Sequence, residues 1–207
     1  MQGIFPYVMI PVLFAIIGRF MGPKRMPSIS DGKTIMSLAE IDLTLSRIAA
    51  EIIEKLSPHG EFAFVGIRRR GVILADRLCR KVEAVLEQPV RKGILDITLY
   101  RDDLTTISPL PTLRETSIPF DINGLSLVLV DDVLYTGRTI RAALDGLVDL
   151  GRPKQVQLAV LVDRGHRELP IHGDYVGKRV ETAGNESVEV RLLEEDGEER
   201  VVLVQRP

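Results

Sequence analysis

Apolar positions recur along this chain with two periods. Ile41, Leu45, Ile48, Ile52 and Leu56 follow one another at intervals of four, three, four and four. They lie behind Ser37-Leu38-Ala39-Glu40, which has capping-box spacing, so an amphipathic helix is predicted up to Ser57-Pro58. Phe62 to Ile67 is a continuous apolar run of strand length, and Gly66 to Gly71 reads as a turn into a second helix carrying Val72, Leu78, Val82 and Leu86. Ile94 to Tyr100 alternates enough to predict a strand, whereas Arg101 to Pro119 has no period and three prolines. Leu125 to Val130 is apolar at five of six positions. Asp131 and Asp132 follow, then Thr136-Gly137-Arg138-Thr139, and then Ile140, Leu144 and Leu147 at helical spacing. Gly151 and Pro153 stop that helix, and Val156 to Val162 is another apolar strand. Ser187 to Leu193 and Arg200 to Val204 flank the acidic stretch Glu194 to Glu199 and predict an exposed hairpin. Strands buried on both faces and alternating with helices predict an α/β fold, a mainly parallel sheet with helices on both faces.

The stretch from Leu125 into the helix after Gly137 carries the clearest chemistry. A helix N-terminus offers unpaired N–H groups and the positive end of a dipole, and Gly137 with Thr136 and Thr139 lets an anion approach both. Two carboxylates at the end of the strand would sit beside a bound phosphate, placed for sugar hydroxyls or a hydrated Mg²⁺, which suggests a sugar phosphate. The plainer alternative is a capped helix after a buried strand. No Gly-x-x-x-x-Gly-Lys and no Gly-x-Gly-x-x-Gly occurs, so the two commonest nucleotide loops are missing.

Arg68, Arg69 and Arg70, between Gly66 and Gly71 at the head of a helix, suit a pyrophosphate through charge and backbone amides; a solvated charge run is the alternative. The long aperiodic segment from Arg101 to Pro119 has the length of an active-site lid, or else is a surface loop.

The 207 residues suggest one domain. With 45% hydrophobic residues, 27% charged and a net charge of −2, the composition is that of a soluble protein. A pI near 6.0 excludes a surface that grips nucleic acid everywhere, so any RNA site must be a local patch. A single Cys79 cannot form an intramolecular disulfide and has no zinc-type neighbours, which points to the cytoplasm and to a small core residue. The three histidines form no metal or triad spacing. Residues 1–33 differ in composition from the rest. Ile4 to Ile17 is apolar but broken by Pro6 and Pro11, too short to span a bilayer and a poor signal peptide. A disordered or adventitious extension is the reading of residues 1–33, with membrane attachment as the alternative, and residues 34–207 form the functional domain.

Val130 to Thr139 resembles the phosphoribosyl pyrophosphate (PRPP) motif of type I phosphoribosyltransferases. With residues 66–78, 95–104 and 151–171 it makes four motifs in family order, covering the chain from about residue 34 to its end. They are most similar to the members that use uracil and regulate pyrimidine genes. The resemblance implies transfer of a phosphoribosyl group from PRPP to uracil, giving UMP and diphosphate, with Mg²⁺ carried by PRPP rather than by a protein cage. It implies catalytic roles for Arg70, Arg101, Asp102, Asp103, Asp131 and Asp132, and PRPP binding by Val133, Leu134, Tyr135, Thr136, Gly137, Arg138 and Thr139. Arg68, Arg69, Arg70 and Gly71 would form the pyrophosphate loop, and Arg101 to Asp103 the opening of the catalytic lid. Asp163 to Val180 would form part of a hood over the base. Tyr135 stands where purine enzymes resembling this motif carry an Asp, so a pyrimidine acceptor is favoured.

The resemblance also implies a homodimer, or rings of dimers, and UMP-dependent binding of pyrimidine leader mRNA. Arg47, Lys55, Arg77, Arg80, His166 and Arg167 are its candidate contacts, with Arg68 beside them. Arg69 departs from the family's Thr, Ala50 stands where a His is expected and His172 where an Arg is expected, and the last two remove positive charge from an RNA face. An enzyme without an RNA role, a UMP or PRPP sensor with little turnover, and a purine enzyme are the alternatives.

Overall fold

A computed structural model of the chain describes residues 32–100 and 116–206. The expectations for an N-terminal extension, and for Arg101, Asp102 and Asp103 at the opening of a lid, lie outside the described residues. In chain order the elements are β1 (Lys33–Ser37), α1 (Leu38–Leu56), β2 (Phe62–Ile67), α2 (Arg70–Leu86), β3 (Arg91–Leu95), β4 (Ser126–Leu134) and α3 (Arg138–Leu150). They continue with β5 (Gln155–Asp163), β6 (Tyr175–Arg179), β7 (Glu186–Arg191), a one-turn helix α4 (Leu193–Asp196) and β8 (Arg200–Gln205).

The central sheet has five strands in the order β3-β2-β4-β5-β6, every neighbouring pair parallel. Alternation within the strands divides the core in two. Phe62 and Phe64 of β2 and Val128 and Val130 of β4 pack with Ile41, Leu45, Ile48 and Ile52 of α1 and Leu74, Leu78 and Val82 of α2. Ala63, Val65 and Ile67, with Leu127 and Leu129, face the other way onto Ile140, Ala143 and Leu147 of α3. Both faces of β2 and β4 are therefore dry, which is why their sequences read as unbroken apolar runs. Helix α1 starts as its sequence predicts: Ser37 Oγ accepts from the Glu40 N–H at 3.4 Å, and Glu40 accepts from the Ser37 N–H at 2.7 Å. Cys79 is buried among these core residues, and burial, the largest cause, pushes its thiol up to about 12.

Three local expectations are corrected. The strand placed at Ile94 to Tyr100 lies earlier, at Arg91–Leu95, in register with Ala63–Ile67. Asp96 then ends it by accepting from the Thr98 N–H at 2.9 Å and from the Thr98 hydroxyl at 2.5 Å. The acidic pair stands at the carboxyl end of a strand as expected, β4 running through Asp131 and Asp132 to Leu134, paired with β5 as far as Asp163. Asp163 to Val180 is not all hood: Tyr175–Arg179 is the edge strand β6 of the main sheet, anchored by a fully buried Tyr175. A second, antiparallel sheet in the order β1-β8-β7 is instead built by the strand preceding α1 and the C-terminal hairpin. The acidic stretch of that hairpin is not a plain exposed turn, for Glu194, Glu195, Asp196 and Glu199 all pair with arginines of α2 or of the turn before it.

Candidate active site at the carboxyl edge of the parallel sheet

Three strand ends converge on one cavity of about 500 Å³, lined by Arg68, Arg69 and Arg70 after β2, Asp96, Ile97 and Thr98 after β3, and Asp131, Asp132, Val133 and Thr139 from β4 and α3. This is the carboxyl edge of a parallel sheet, where the connections open and ligands bind. Gly71 permits the convergence. A Cβ there would lie 2.4 Å from the Val130 carbonyl oxygen, so only glycine lets the start of α2 press against β4.

Each wall has its own chemistry. The Arg68 N–H donates to the Leu95 carbonyl at 3.1 Å, which fixes the arginine loop against β3. The Arg68–Arg69 peptide is cis. Opposite, the Asp132 N–H donates to Asp131 Oδ1 at 3.0 Å, and the Val133 N–H donates to Asp132 Oδ1 at 2.9 Å. Loss of water around Asp132 raises its carboxyl above the ordinary range, with the Arg70 charge and the Val133 N–H acting against the rise. A positive loop and a pair of acceptors thus line the same cavity.

At the next turn, Gly137 caps α3 in the left-handed region, φ 94°, so the chain can swing its amides toward an anion. The Arg141 N–H donates to the Gly137 carbonyl at 2.9 Å. The Glu168 and Leu169 N–H groups both donate to the Thr136 carbonyl, at 3.0 and 3.1 Å, so the segment after β5 is fastened over the turn. The Arg138 side chain pairs with Glu168 at 2.7 Å. Arg167 holds the same junction: it donates to the carbonyls of Tyr135 at 2.6 Å and Ile171 at 2.8 Å and pairs with Asp163 at 2.5 Å.

Of the residues expected from sequence, Arg68, Arg69, Arg70, Asp131, Asp132, Val133 and Thr139 share the cavity, Gly71 backs it, and Tyr135 to Gly137 form the adjoining turn between Leu134 at the end of β4 and Arg138 at the start of α3. Asp96 and Thr98 line it too, and sequence reading assigned them no role. Their signal was position, directly after a strand at the carboxyl edge.

The candidate RNA residues divide. Arg47 pairs with Glu51 and donates to the carbonyls of Val176 and Gly177, and the Lys55 ammonium lies 4.7 Å from the Tyr175 ring centroid, so both rest on β6. His166 and Arg167 line a second cavity of about 1070 Å³ with Lys33, Arg164, Lys178 and Arg179. Arg77, Arg80 and Lys81 are instead paired with carboxylates, so the stripe read at helical spacing on α2 is largely neutralised.

The phosphoribosyl transferase domain model matches residues 33–195. The bifunctional protein PyrR of Pelotomaculum thermopropionicum is 60% identical over 162 residues, 78% of this chain and 90% of that protein. This chain belongs to the PyrR group of the phosphoribosyltransferase family. The PyrR of Thermus thermophilus is 56% identical over 172 residues, covering 83% of this chain and 95% of its own length. Among solved structures, the hypoxanthine phosphoribosyltransferase of Trypanosoma cruzi superposes with a TM-score of 0.64 at 19% identity, covering 84% of this chain and 97% of that one. That likeness is one of fold, the type I phosphoribosyltransferase fold. Among the described residues no helix is long and apolar enough to cross a membrane.

Proposed function

We propose that this chain transfers the 5-phosphoribosyl group of PRPP to N1 of uracil, giving UMP and diphosphate, and that with UMP bound it grips the leader RNA of pyrimidine genes in the cytoplasm. The observation that carries the reading is the meeting of the arginine loop, the Asp131–Asp132 pair and Thr139 in one cavity. The Tyr135–Gly137 turn beside it leads into the N-terminus of α3, where a helix dipole and backbone amides suit a 5-phosphate. Asp131 and Asp132 would accept from the ribose hydroxyls, and Arg70 with the neighbouring amides would take the charge that develops on departing diphosphate. Arg101, Asp102 and Asp103 would be the first residues of the lid that keeps water from the ribosyl centre.

Among the described residues no group of three or more His, Cys, Asp or Glu side chains gathers as a metal site. The acidic pair and the open cavity suit a Mg²⁺ ion brought on the oxygens of PRPP, which would neutralise charge on the diphosphate. Tyr135 supports a pyrimidine acceptor, since its phenol offers no carboxylate to assist a purine nitrogen.

For the regulatory half, the support is the cation-rich cavity of Lys33, Arg164, His166, Arg167, Lys178 and Arg179. A dimeric or ring assembly would multiply such a face, and a homodimer is part of this reading. A mobility-shift assay with the leader RNA of the pyrimidine genes, at low salt with and without UMP, tests the RNA role. UMP should tighten the complex, and an affinity indifferent to UMP would remove it, because linkage requires the two sites to communicate. Competition among uracil, hypoxanthine and guanine for PRPP tests the acceptor: uracil should be consumed first, and faster use of either purine would overturn the pyrimidine assignment.

A further inference from the structure

The C-terminal hairpin reaches back to the arginine loop. Asp196, the last residue of α4, accepts from Arg70 Nη2 at 2.7 Å and from Arg70 Nε at 3.2 Å, a two-pronged contact between residues 126 positions apart. The carboxylate is itself held, because the Leu192 N–H donates to its Oδ2 at 2.8 Å. On either side, Arg69 pairs with Glu195 at 2.7 Å, and Arg77 pairs with Glu194 at 2.7 Å and Glu199 at 2.5 Å.

Among the described residues, the side-chain hydrogen bonds of Arg70 both go to Asp196. An unrestrained arginine gives up rotamer freedom when a ligand fixes it, and that loss weakens binding. Asp196 removes that cost beforehand and leaves guanidinium N–H groups over for an anion, because its side-on grip uses only Nε and one hydrogen of Nη2. Arg70 lines the cavity on the side facing Asp132, whose charge adds to the field that keeps the guanidinium protonated.

We propose that Asp196 is a positioning residue for Arg70, so that the C-terminal hairpin sets the arginine that receives the diphosphate. The inference rests on the assignment of the arginine loop to diphosphate. It gives β7 and β8 a part in the reaction although neither strand touches the cavity. It also carries a direction: a tether that aims Arg70 strengthens anion binding, whereas a carboxylate that merely occupied the anion's place would weaken it.

The experiment measures binding of inorganic pyrophosphate with Mg²⁺ by calorimetry, and KM for PRPP and for uracil, in the wild type, Asp196→Asn, Asp196→Glu, Arg70→Lys and the double variant Arg70→Lys/Asp196→Asn. Asp196→Asn should weaken pyrophosphate and raise KM for PRPP by roughly tenfold, with KM for uracil within about twofold. Asp196→Glu should recover part of the loss. In the Arg70→Lys background, Asp196→Asn should add almost nothing, because Asp196 then has no guanidinium to aim. Glu194→Gln, in the same turn but paired with Arg77, controls for general loosening of the hairpin and should leave pyrophosphate binding unchanged. Tighter pyrophosphate in Asp196→Asn, full additivity in the double variant, or an equal effect of Glu194→Gln would each overturn the proposal. Because pyrophosphate binding needs no uracil turnover, a wild type that binds pyrophosphate but forms no UMP would sink the enzyme reading and leave the role of Asp196 standing.

Discussion

The guanidinium carbon of Arg164 lies 4.0 Å from the centroid of the Tyr135 ring, and the His166 ring meets Tyr135 edge-on at 6.0 Å. Arg164 is 4% exposed, donates to the Glu186 carbonyl at 2.5 Å and is depressed below the ordinary guanidinium range by burial. Tyr135 is therefore held from its face and its edge by the segment that follows β5. These contacts need the ring and not its hydroxyl. Tyr135→Ala should lower kcat/KM for uracil about tenfold, the worth of one ring and cation contact, while Tyr135→Phe should stay within about twofold. Steady-state kinetics at saturating PRPP checks both.

Asp132 sets stability against function. Its folded pKa is raised above the unfolded value by burial, so the folded state binds the proton more tightly and the ionised carboxylate costs stability once pH passes the shifted value. Asp132→Asn should raise Tm at neutral pH, with the gain shrinking as pH falls from the raised value toward the ordinary carboxylate range and absent below that range. The same variant should lower kcat/KM for PRPP at least a hundredfold if it meets the ribose hydroxyls, an estimate for losing a charged hydrogen bond in the transition state. Calorimetric melting across pH and initial rates separate the two effects.

Arg77 is the structural pin of the hairpin. It is mostly buried, and Glu199 beside it is 8% exposed, so Arg77→Met strands a carboxylate. A loss of about 2 kcal/mol is expected at neutral pH, less than for a fully buried pair because Glu194 remains half open to solvent. Glu194 sits below its ordinary value chiefly through the Arg77 hydrogen bond. Its contribution is therefore complete above the unfolded pKa and disappears as pH falls through the folded one. The Tm gap between wild type and Arg77→Met should narrow steadily in acid below about pH 4, the ordinary glutamate range.

Gly137→Ala tests the phosphate turn. At φ 94° a side chain is strained, and its Cβ would lie 3.3 Å from the Leu169 side chain and 3.4 Å from that of Ile171. A cost of about 1–3 kcal/mol is expected, with KM for PRPP raised and KM for uracil little changed. Thermal melts and paired KM measurements distinguish strain at the turn from general unfolding.

The site was legible where its chemistry is local. Asp131, Asp132 and the Thr136 to Thr139 turn stand in one short stretch between a dry strand and an amphipathic helix, so period and residue type marked them together. Arg70 was equally visible at the mouth of α2. What sequence could not show depends on pairing across long separations. Lys33–Ser37 has little apolar pattern of its own and becomes a strand because β8 supplies its partners, from Lys33 opposite Leu203 to Ser37 opposite Arg200. Tyr175–Arg179 joins the main sheet because β5 is already there to receive it. Glu194 to Glu199 reads as a solvated acidic turn until α2 is seen to hold its arginines against it. Asp96 and Thr98 enter the cavity only when β3 is shifted into register with β2.

The most direct test of the account is formation of UMP from labelled uracil and PRPP with Mg²⁺ by the purified chain. UMP and diphosphate should appear in equal amounts, and the rate should fall at least a hundredfold at limiting PRPP when Asp132→Asn replaces the wild type. Intact uracil after prolonged incubation with the wild type, or PRPP consumed without UMP, would contradict it.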